Sequence, residues 1–252
     1  MANLNLNGNV SKNEELLHFA YTDLIAFGKL FSPQDFLASA TPPFHTEVGK
    51  KLLDKKVQQL ALVLPRDHAK STLAATAMLH RILFATKESP EFLCWVGEAQ
   101  DQATDNVAWL QNHIYENPAI NYYFGDLEGD KWTKTEFTTT NGCRMIAKGA
   151  SQRLRGKKQL SIVHYDSFLN NVVKGHQDAQ KSGESYSWDV LTYKAILDNG
   201  KPLWPSRWPL KKLEDRKQFY IDSGVAGKFY QEFMNQAKSP EDQIFQEEDI
   251  ND

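Results

Sequence analysis

The stretch that most constrains this fold is residues 60–83, where an apolar run leads through a short polar segment into a helical pattern. Lys70, Ser71 and Thr72 end the polar segment, and apolar residues then recur at helical spacing. Strand, loop, Lys-[Ser/Thr] and helix in this order are typical of phosphate-binding loops. In such loops, backbone N–H groups and the helix N-terminus hold phosphate, the lysine reaches the β- and γ-phosphates, and the hydroxyl binds Mg²⁺. We therefore expect a phosphate-binding loop here.

This loop departs from the usual form, G-x-x-x-x-G-K-[ST], because Leu64 and Ala69 stand where the two glycines belong. For Asp67 and His68 we expect the backbone N–H groups to matter more than the side chains. Two readings stay open for the hydroxyls that follow Lys70. Either they cap the next helix, or one of them binds Mg²⁺. As a Mg²⁺ ligand, Ser71 is favoured over Thr72 by its spacing from Lys70.

Composition limits the classes of protein to consider. The chain has 252 residues, 41% of them hydrophobic and 12% aromatic, which favours a folded globule over a disordered chain. The net charge of -3 means that nucleic-acid binding would need a local basic face. The two cysteines, Cys94 and Cys143, are too few for a metal cluster. No segment approaches about 18 uninterrupted apolar residues, so we expect a soluble protein with no membrane span.

Apolar periodicity predicts an α/β fold, with a mainly parallel β-sheet flanked by helices. Strands are predicted over residues 60–64, 92–96 and 161–164, and a hairpin over residues 135–147 with its turn at Asn141-Gly142. Predicted helices cover residues 14–31, 45–59, 73–85, 100–115, 186–197, 210–222 and 226–235.

Several segments together resemble one family. Residues 65–71 read Pro-Arg-x-x-x-Lys-Ser, and residues 149–156 form a Gly-x-x-x-x-x-Arg-Gly element after the hairpin. Residues 200–205 and 229–235 match segments at the C-terminal edge of the same domain. On these residues, the chain resembles the ATPase domain of the large terminase subunit, the DNA-packaging motor of tailed bacteriophages, over residues 14–245.

The resemblance implies a P-loop NTPase fold with ATP and Mg²⁺ as cofactors. It divides the chain into a flexible arm (residues 1–12), an ATPase domain (13–245) and an acidic tail (246–252). The domain would comprise a helical N-terminal part (13–59), a nucleotide-binding core (60–200) and a C-terminal edge or linker (201–245). Implied partners are double-stranded viral DNA, the portal protein and the small terminase subunit, with a ring oligomer on the capsid in the host cytoplasm. The family's nuclease domain would begin where this sequence stops, so we expect no DNA cleavage.

Site residues follow from the loop and from the resemblance together. Arg66 and Asp166 are the candidate catalytic residues, and Ser71 and Asp166 the candidate metal ligands. The nucleotide-binding candidates are Pro65, Arg66, Asp67, His68, Ala69, Lys70, Ser71, Thr72 and Phe44.

Three of these residues have a structural alternative. Arg66 either faces the γ-phosphate or forms a salt bridge in the loop. Phe44 either stacks on the adenine or is buried under a helix. Asp166 either contacts Mg²⁺ or caps a helix. A further basic loop, with Gln152, Arg153 and Arg155, faces nucleotide or DNA or is a solvated turn.

The Walker B strand, which should end in two acids, is not recognisable in this sequence. Asp166 follows the apolar residues 162–163 without an adjacent acid. Residues 162–169 fit better a segment that lies downstream of Walker B in the family, so a block is missing before it. We therefore expect a gap in the sheet beside the phosphate-loop strand. The main hypothesis is an ATP-driven packaging motor; the alternatives are a catalytically impaired terminase fragment and an unrelated P-loop ATPase.

Overall fold

A computed structural model describes residues 11–150, 162–165, 169–183 and 185–236. In these residues, helices and strands alternate in the order α1 (Lys12–Thr22), α2 (Leu24–Phe31), α3 (Pro33–Phe36), α4 (Pro43–Leu53), β1 (Leu60–Val63), α5 (Lys70–Phe84), β2 (Phe92–Gly97), α6 (Gln100–Glu116), α7 (Pro118–Phe124), β3 (Glu128–Thr133), β4 (Glu136–Thr139), β5 (Arg144–Gly149), β6 (Ile162–Tyr165), α8 (Leu169–Ser182), β7 (Asp189–Thr192), α9 (Leu210–Asp222) and α10 (Ala226–Phe233).

The α/β class is confirmed, and the sheets are mixed. The described strands form a five-stranded sheet of order β3-β4-β5-β2-β6 and a separate pair, β1-β7. β2 runs parallel to β5 and to β6, β1 runs parallel to β7, and the β3-β4 and β4-β5 pairs are antiparallel. Among the described strands β1 therefore bonds to β7 alone.

The N-terminal helices differ from their predicted bounds because side chains cap them at other positions. The first begins at Lys12, inside the predicted arm, because Ser11 and Glu14 form a reciprocal capping box. The predicted helix over residues 14–31 is broken at Asp23, whose carboxylate accepts the N–H groups of Ile25 and Ala26 at 2.8 Å and starts α2. The prediction of one continuous helix is wrong there.

Two other helix predictions are wrong. α4 ends at Leu53 rather than Gln59, because Asp54 is extended and its carboxylate accepts the N–H of Lys56 at 2.9 Å in a turn. Residues 186–197, predicted to be helical, contain the strand β7. Its Val190 and Thr192 are β-branched, and pairing with β1 supplies its backbone hydrogen bonds.

The main core lies where α2, α5, α6 and α7 meet the strands β2, β4 and β5. A second cluster joins α4, β1 and the start of α5 to Trp204, and a third joins Trp208 to α9 and α10. Both smaller clusters border the loop between β1 and α5. None of the helices in the described ranges is long and apolar enough to cross a membrane.

The main core should depend strongly on Phe27, which is fully buried and contacts the rings of Phe31, His80 and Phe84. Phe27→Ala should lower the free energy of unfolding by about 3–5 kcal/mol, because it removes buried apolar surface and leaves a cavity. Phe19→Ala, at a position 60% exposed in the preceding helix, is the matched control and should cost less than about 1 kcal/mol. Urea denaturation measures both, and equal losses would contradict this view of the core.

Candidate functional site

The loop from β1 to α5 has an unusual backbone for a segment without glycine. Asp67 and Ala69 both adopt left-handed conformations, with φ of 58° and 64°. A left-handed non-glycine residue costs roughly 1–2 kcal/mol, so surrounding contacts must hold it in place. Ala69 is also the residue before the 15-residue helix α5, and no side chain of the described residues caps that helix end.

His68 holds the loop from inside. Its side chain is completely buried, and its Nδ1 donates to the Arg66 carbonyl at 2.7 Å. The imidazole lies parallel to the Trp208 ring, with 6.2 Å between the ring centroids. Nε2 of His68 is buried and has no hydrogen-bond partner within the described part of the chain. The backbone N–H of His68 was expected to matter more than its side chain, and the structure shows that the side chain also supports the loop conformation.

Two further side chains bind loop carbonyls. The indole N–H of Trp208 donates to the Asp67 carbonyl at 3.4 Å. His45, on α4, donates through Nε2 to the His68 carbonyl, also at 3.4 Å. These two contacts hold the Asp67 and His68 carbonyls towards α4 and the Trp208 turn. The N–H of His68 donates to the Pro65 carbonyl at 3.2 Å. An anion at the loop would therefore be held by the N–H groups of the left-handed residues Asp67 and Ala69 and of the first turn of α5.

α10 binds the loop from the C-terminal side. The N–H of Arg66 donates to the Glu232 carbonyl at 2.7 Å, and the Arg66 guanidinium pairs with the Glu232 carboxylate at 2.9 Å. Tyr220 donates its hydroxyl hydrogen to the second Glu232 oxygen at 2.6 Å. The hydrogen bond to Glu232 raises the pKa of Arg66. Of the two readings of Arg66, the structure contains the salt bridge.

Residues 64–72 line one side of a cavity of about 450 Å³, which we call the loop cavity. It contains every nucleotide-binding candidate from Pro65 to Thr72. Pockets of roughly 300–1,000 Å³ are typical for small ligands and cofactors. The remaining lining residues come from two other parts of the chain and are Gln34, Asp35, Ala38, Trp204 and Arg207.

Lys70, Ser71 and Thr72 lie in the first turn of α5, not before it. The N-cap position belongs to Ala69, so neither hydroxyl occupies the usual capping position. Ser71 is exposed on the loop cavity, whereas Thr72 is half-buried. The first turn of a helix carries N–H groups without intrahelical acceptors and a partial positive charge, both of which favour an anion.

Phe44 does not reach the loop cavity. Its ring is 3% exposed and packs in the second cluster against His45, Tyr193 and Trp204, with centroid distances of 4.4, 5.4 and 6.2 Å. The structure thus contains the buried alternative for Phe44. Asp166 and the basic loop with Gln152, Arg153 and Arg155 lie outside the described residues.

Sequence reasoning missed the residues that support the loop from a distance. Glu232, Trp208 and Arg207 come from the C-terminal region, and His45 lies 23 residues before His68. The sequence signal that could have found this region is the aromatic and proline-rich stretch 202–209, where prolines exclude regular secondary structure around two tryptophans. Trp204 is buried, at 5% exposure.

Metal binding finds limited support in the described ranges. No group of three or more His, Cys, Asp or Glu side chains within them could hold an ion. The side-chain oxygen groups of the residues that line the loop cavity are the Ser71 and Thr72 hydroxyls, the Gln34 amide and the carboxylates of Asp35 and Asp67. A magnesium ion there would therefore need most of its ligands from water and from a bound phosphate, which is how Mg²⁺ commonly binds.

Comparison with known proteins leaves the family open. No family model matches this sequence, and no curated protein matches it significantly.

The buried His45 predicts a pH dependence of stability. Burial, the largest effect, lowers its pKa from 6.5 to about 4; the His68 carbonyl opposes this shift, and the nearby His68 and Arg207 add to it. Between pH 6.5 and 4 the unfolded chain therefore binds more protons than the folded one. The free energy of unfolding should fall as the pH is lowered through this window, by up to about 1.4 kcal/mol per pH unit from this group.

His45→Gln should flatten this dependence, measured by urea denaturation at several pH values between 6.5 and 4. His18→Gln removes an exposed histidine instead and serves as the matched control. A His45→Gln variant with the wild-type pH profile would contradict the assignment.

Proposed function

We propose that this chain binds a nucleoside triphosphate, with ATP as the expected nucleotide, in the loop cavity. The observation that carries the proposal is that Lys70 and Ser71 open a 15-residue helix after a parallel strand and a loop with two left-handed residues. This is the arrangement that phosphate-binding loops use, reached here without their glycines. The resemblance in sequence makes the ATPase motor domain of a phage DNA-packaging terminase the most specific form of the proposal.

The residues of the loop cavity fit a polyphosphate. The N-terminus of α5 and the side chains of Arg66, Lys70 and Arg207 are positive, and two acids, Asp35 and Asp67, partly offset them. Lys70 would contact the β- and γ-phosphates, as the lysine of such loops does. The Ser71 hydroxyl is exposed on the cavity and would be one of the Mg²⁺ ligands. When bound, the ion would supply charge neutralisation to the phosphates.

Arg66 can act on the terminal phosphate only if its guanidinium leaves Glu232 and binds the phosphate instead. Its guanidinium pairs with Glu232, whose second oxygen is held by Tyr220. The Arg66 side chain is 58% exposed, and ion pairs at such exposure contribute at most about 1 kcal/mol. Breaking this pair is therefore inexpensive, and a catalytic role of Arg66 remains part of the proposal.

A second candidate function is nucleotide binding with little hydrolysis. Attack on the γ-phosphate needs a water that a side chain positions, and this contributes orders of magnitude to the rate. The sequence places a single acid, Asp166, directly after β6, followed by Ser167. The family pattern has two acids at the end of such a strand. DNA translocation, with double-stranded DNA, portal protein and small terminase subunit as partners, belongs to the first candidate only.

Lys70→Ala should abolish binding of Mg·ATP, because Lys70 provides the cation for the β- and γ-phosphates. Isothermal titration of the wild type and of the variant measures this directly. Lys50→Ala, at an exposed position on α4 away from the loop cavity, is the matched control and should bind as the wild type does. Equal affinity of wild type and Lys70→Ala would overturn the assignment of the loop.

Steady-state ATPase assays separate the two candidates. We expect turnover to be very slow even at saturating ATP, since an adjacent acidic pair is missing, and Asp166→Ala to change it little. A rate comparable to that of working packaging motors, lost in Asp166→Ala, would instead make Asp166 a true Walker B residue and favour the motor.

A further inference from the structure

Arg207 reaches the loop cavity from a part of the chain that is remote from the loop in sequence. It lies in the turn between the bridge residue Pro202 and the start of α9, and it lines the same cavity as Lys70. Its guanidinium carbon is 5.4 Å from the centroid of the Trp204 ring, so the cation stacks on an aromatic face. Phosphate-binding arginines are often oriented by stacking of this kind.

The backbone around Arg207 is fixed at both ends. Trp204 donates its indole N–H to the Ala40 carbonyl at 3.0 Å, and Trp208 donates its own to the Asp67 carbonyl at 3.4 Å. The N–H groups of Arg207 and Trp208 both donate to the Trp204 carbonyl, at 3.2 and 2.8 Å. One tryptophan thus ties the turn to Ala40, which follows the lining residue Ala38 in the chain, and the other ties it to the loop. Arg207 is held between these two anchors.

The charge of Arg207 is not neutralised within the described part of the chain. The ion pairs found there leave it without a carboxylate within 4.0 Å, whereas Arg66 is paired with Glu232. Its field is felt under the loop, where it contributes to lowering the pKa of both His45 and His68. A cation that lines a cavity beside a helix N-terminus is suited to an anionic ligand.

We propose that Arg207 is a phosphate-binding residue of the loop cavity, which contacts the polyphosphate chain from a wall separate from that of Lys70. This inference rests on the proposed function, because it takes the ligand to be a nucleoside triphosphate. It adds a residue that no loop motif contains. It also makes the turn between Trp204 and Trp208 part of the binding site, so that ligand binding stabilises the packing of this turn on the loop.

The test is titration of wild type, Arg207→Ala, Arg207→Gln and Arg207→Lys with Mg·ATP, with inorganic triphosphate and with adenosine. Arg207→Gln keeps a planar group over Trp204 without the charge, and it tests the proposal if Arg207→Ala folds poorly. Arg207→Lys keeps the charge and loses the bidentate geometry. Arg216→Ala, an exposed arginine on α9 away from the cavity, is the matched control.

We expect Arg207→Ala and Arg207→Gln to weaken Mg·ATP and triphosphate binding about tenfold or more, as for loss of a hydrogen bond to a charged group. Arg207→Lys should be intermediate, adenosine binding should not change, and Arg216→Ala should behave as wild type. Wild-type affinity in Arg207→Gln, with binding lost in Lys70→Ala, would overturn this inference alone. A wild type that binds neither Mg·ATP nor triphosphate would overturn the proposed function and this inference with it.

Discussion

The left-handed backbone at Asp67 and Ala69 is the constraint on which the rest of the site depends. Glycines would adopt this backbone at little cost, but here each residue carries a Cβ and the conformation is stabilised by its surroundings. The stabilising contacts come from His45 on α4, Trp208 before α9 and Glu232 on α10. A loop that is usually a local feature is therefore maintained by segments from distant parts of the chain.

The layer of side chains beneath the loop is buried and uncharged. His45 and His68 are both buried, and burial lowers the pKa of each, so neither adds a charge near neutral pH. Two tryptophans complete this layer. Lys70 and Arg207 both line the loop cavity, and the side chains packed beneath the loop add no charge to it.

Local patterns predicted the elements whose determinants lie close together in sequence. The strand β2, the helices α5, α6 and α9 and the hairpin at Asn141-Gly142 follow from periodicity and turn residues, and the structure contains them near their predicted bounds. β7 was missed because its partner β1 lies far away along the chain, and a short apolar stretch does not distinguish strand from helix. The residues of the candidate site show the same difference between local and long-range determinants. Residues 65–72 were predicted from one contiguous motif, whereas Glu232 and Trp208 act through contacts that no local pattern encodes.

The pairing of β1 with β7 also affects how the chain is made. Leu60 lies opposite Asp189, so the strand that carries the loop leaves the ribosome long before its partner has been synthesised. Closing so large a loop has an entropic cost, which only the later contacts of β7 and α10 offset. Until then, the apolar strand Leu60–Val63 has neither its β7 partner nor α10 beside it, and an unpaired strand of this kind is open to pairing with other chains. During synthesis, chaperones that bind short apolar segments would protect the same strand that later positions the loop.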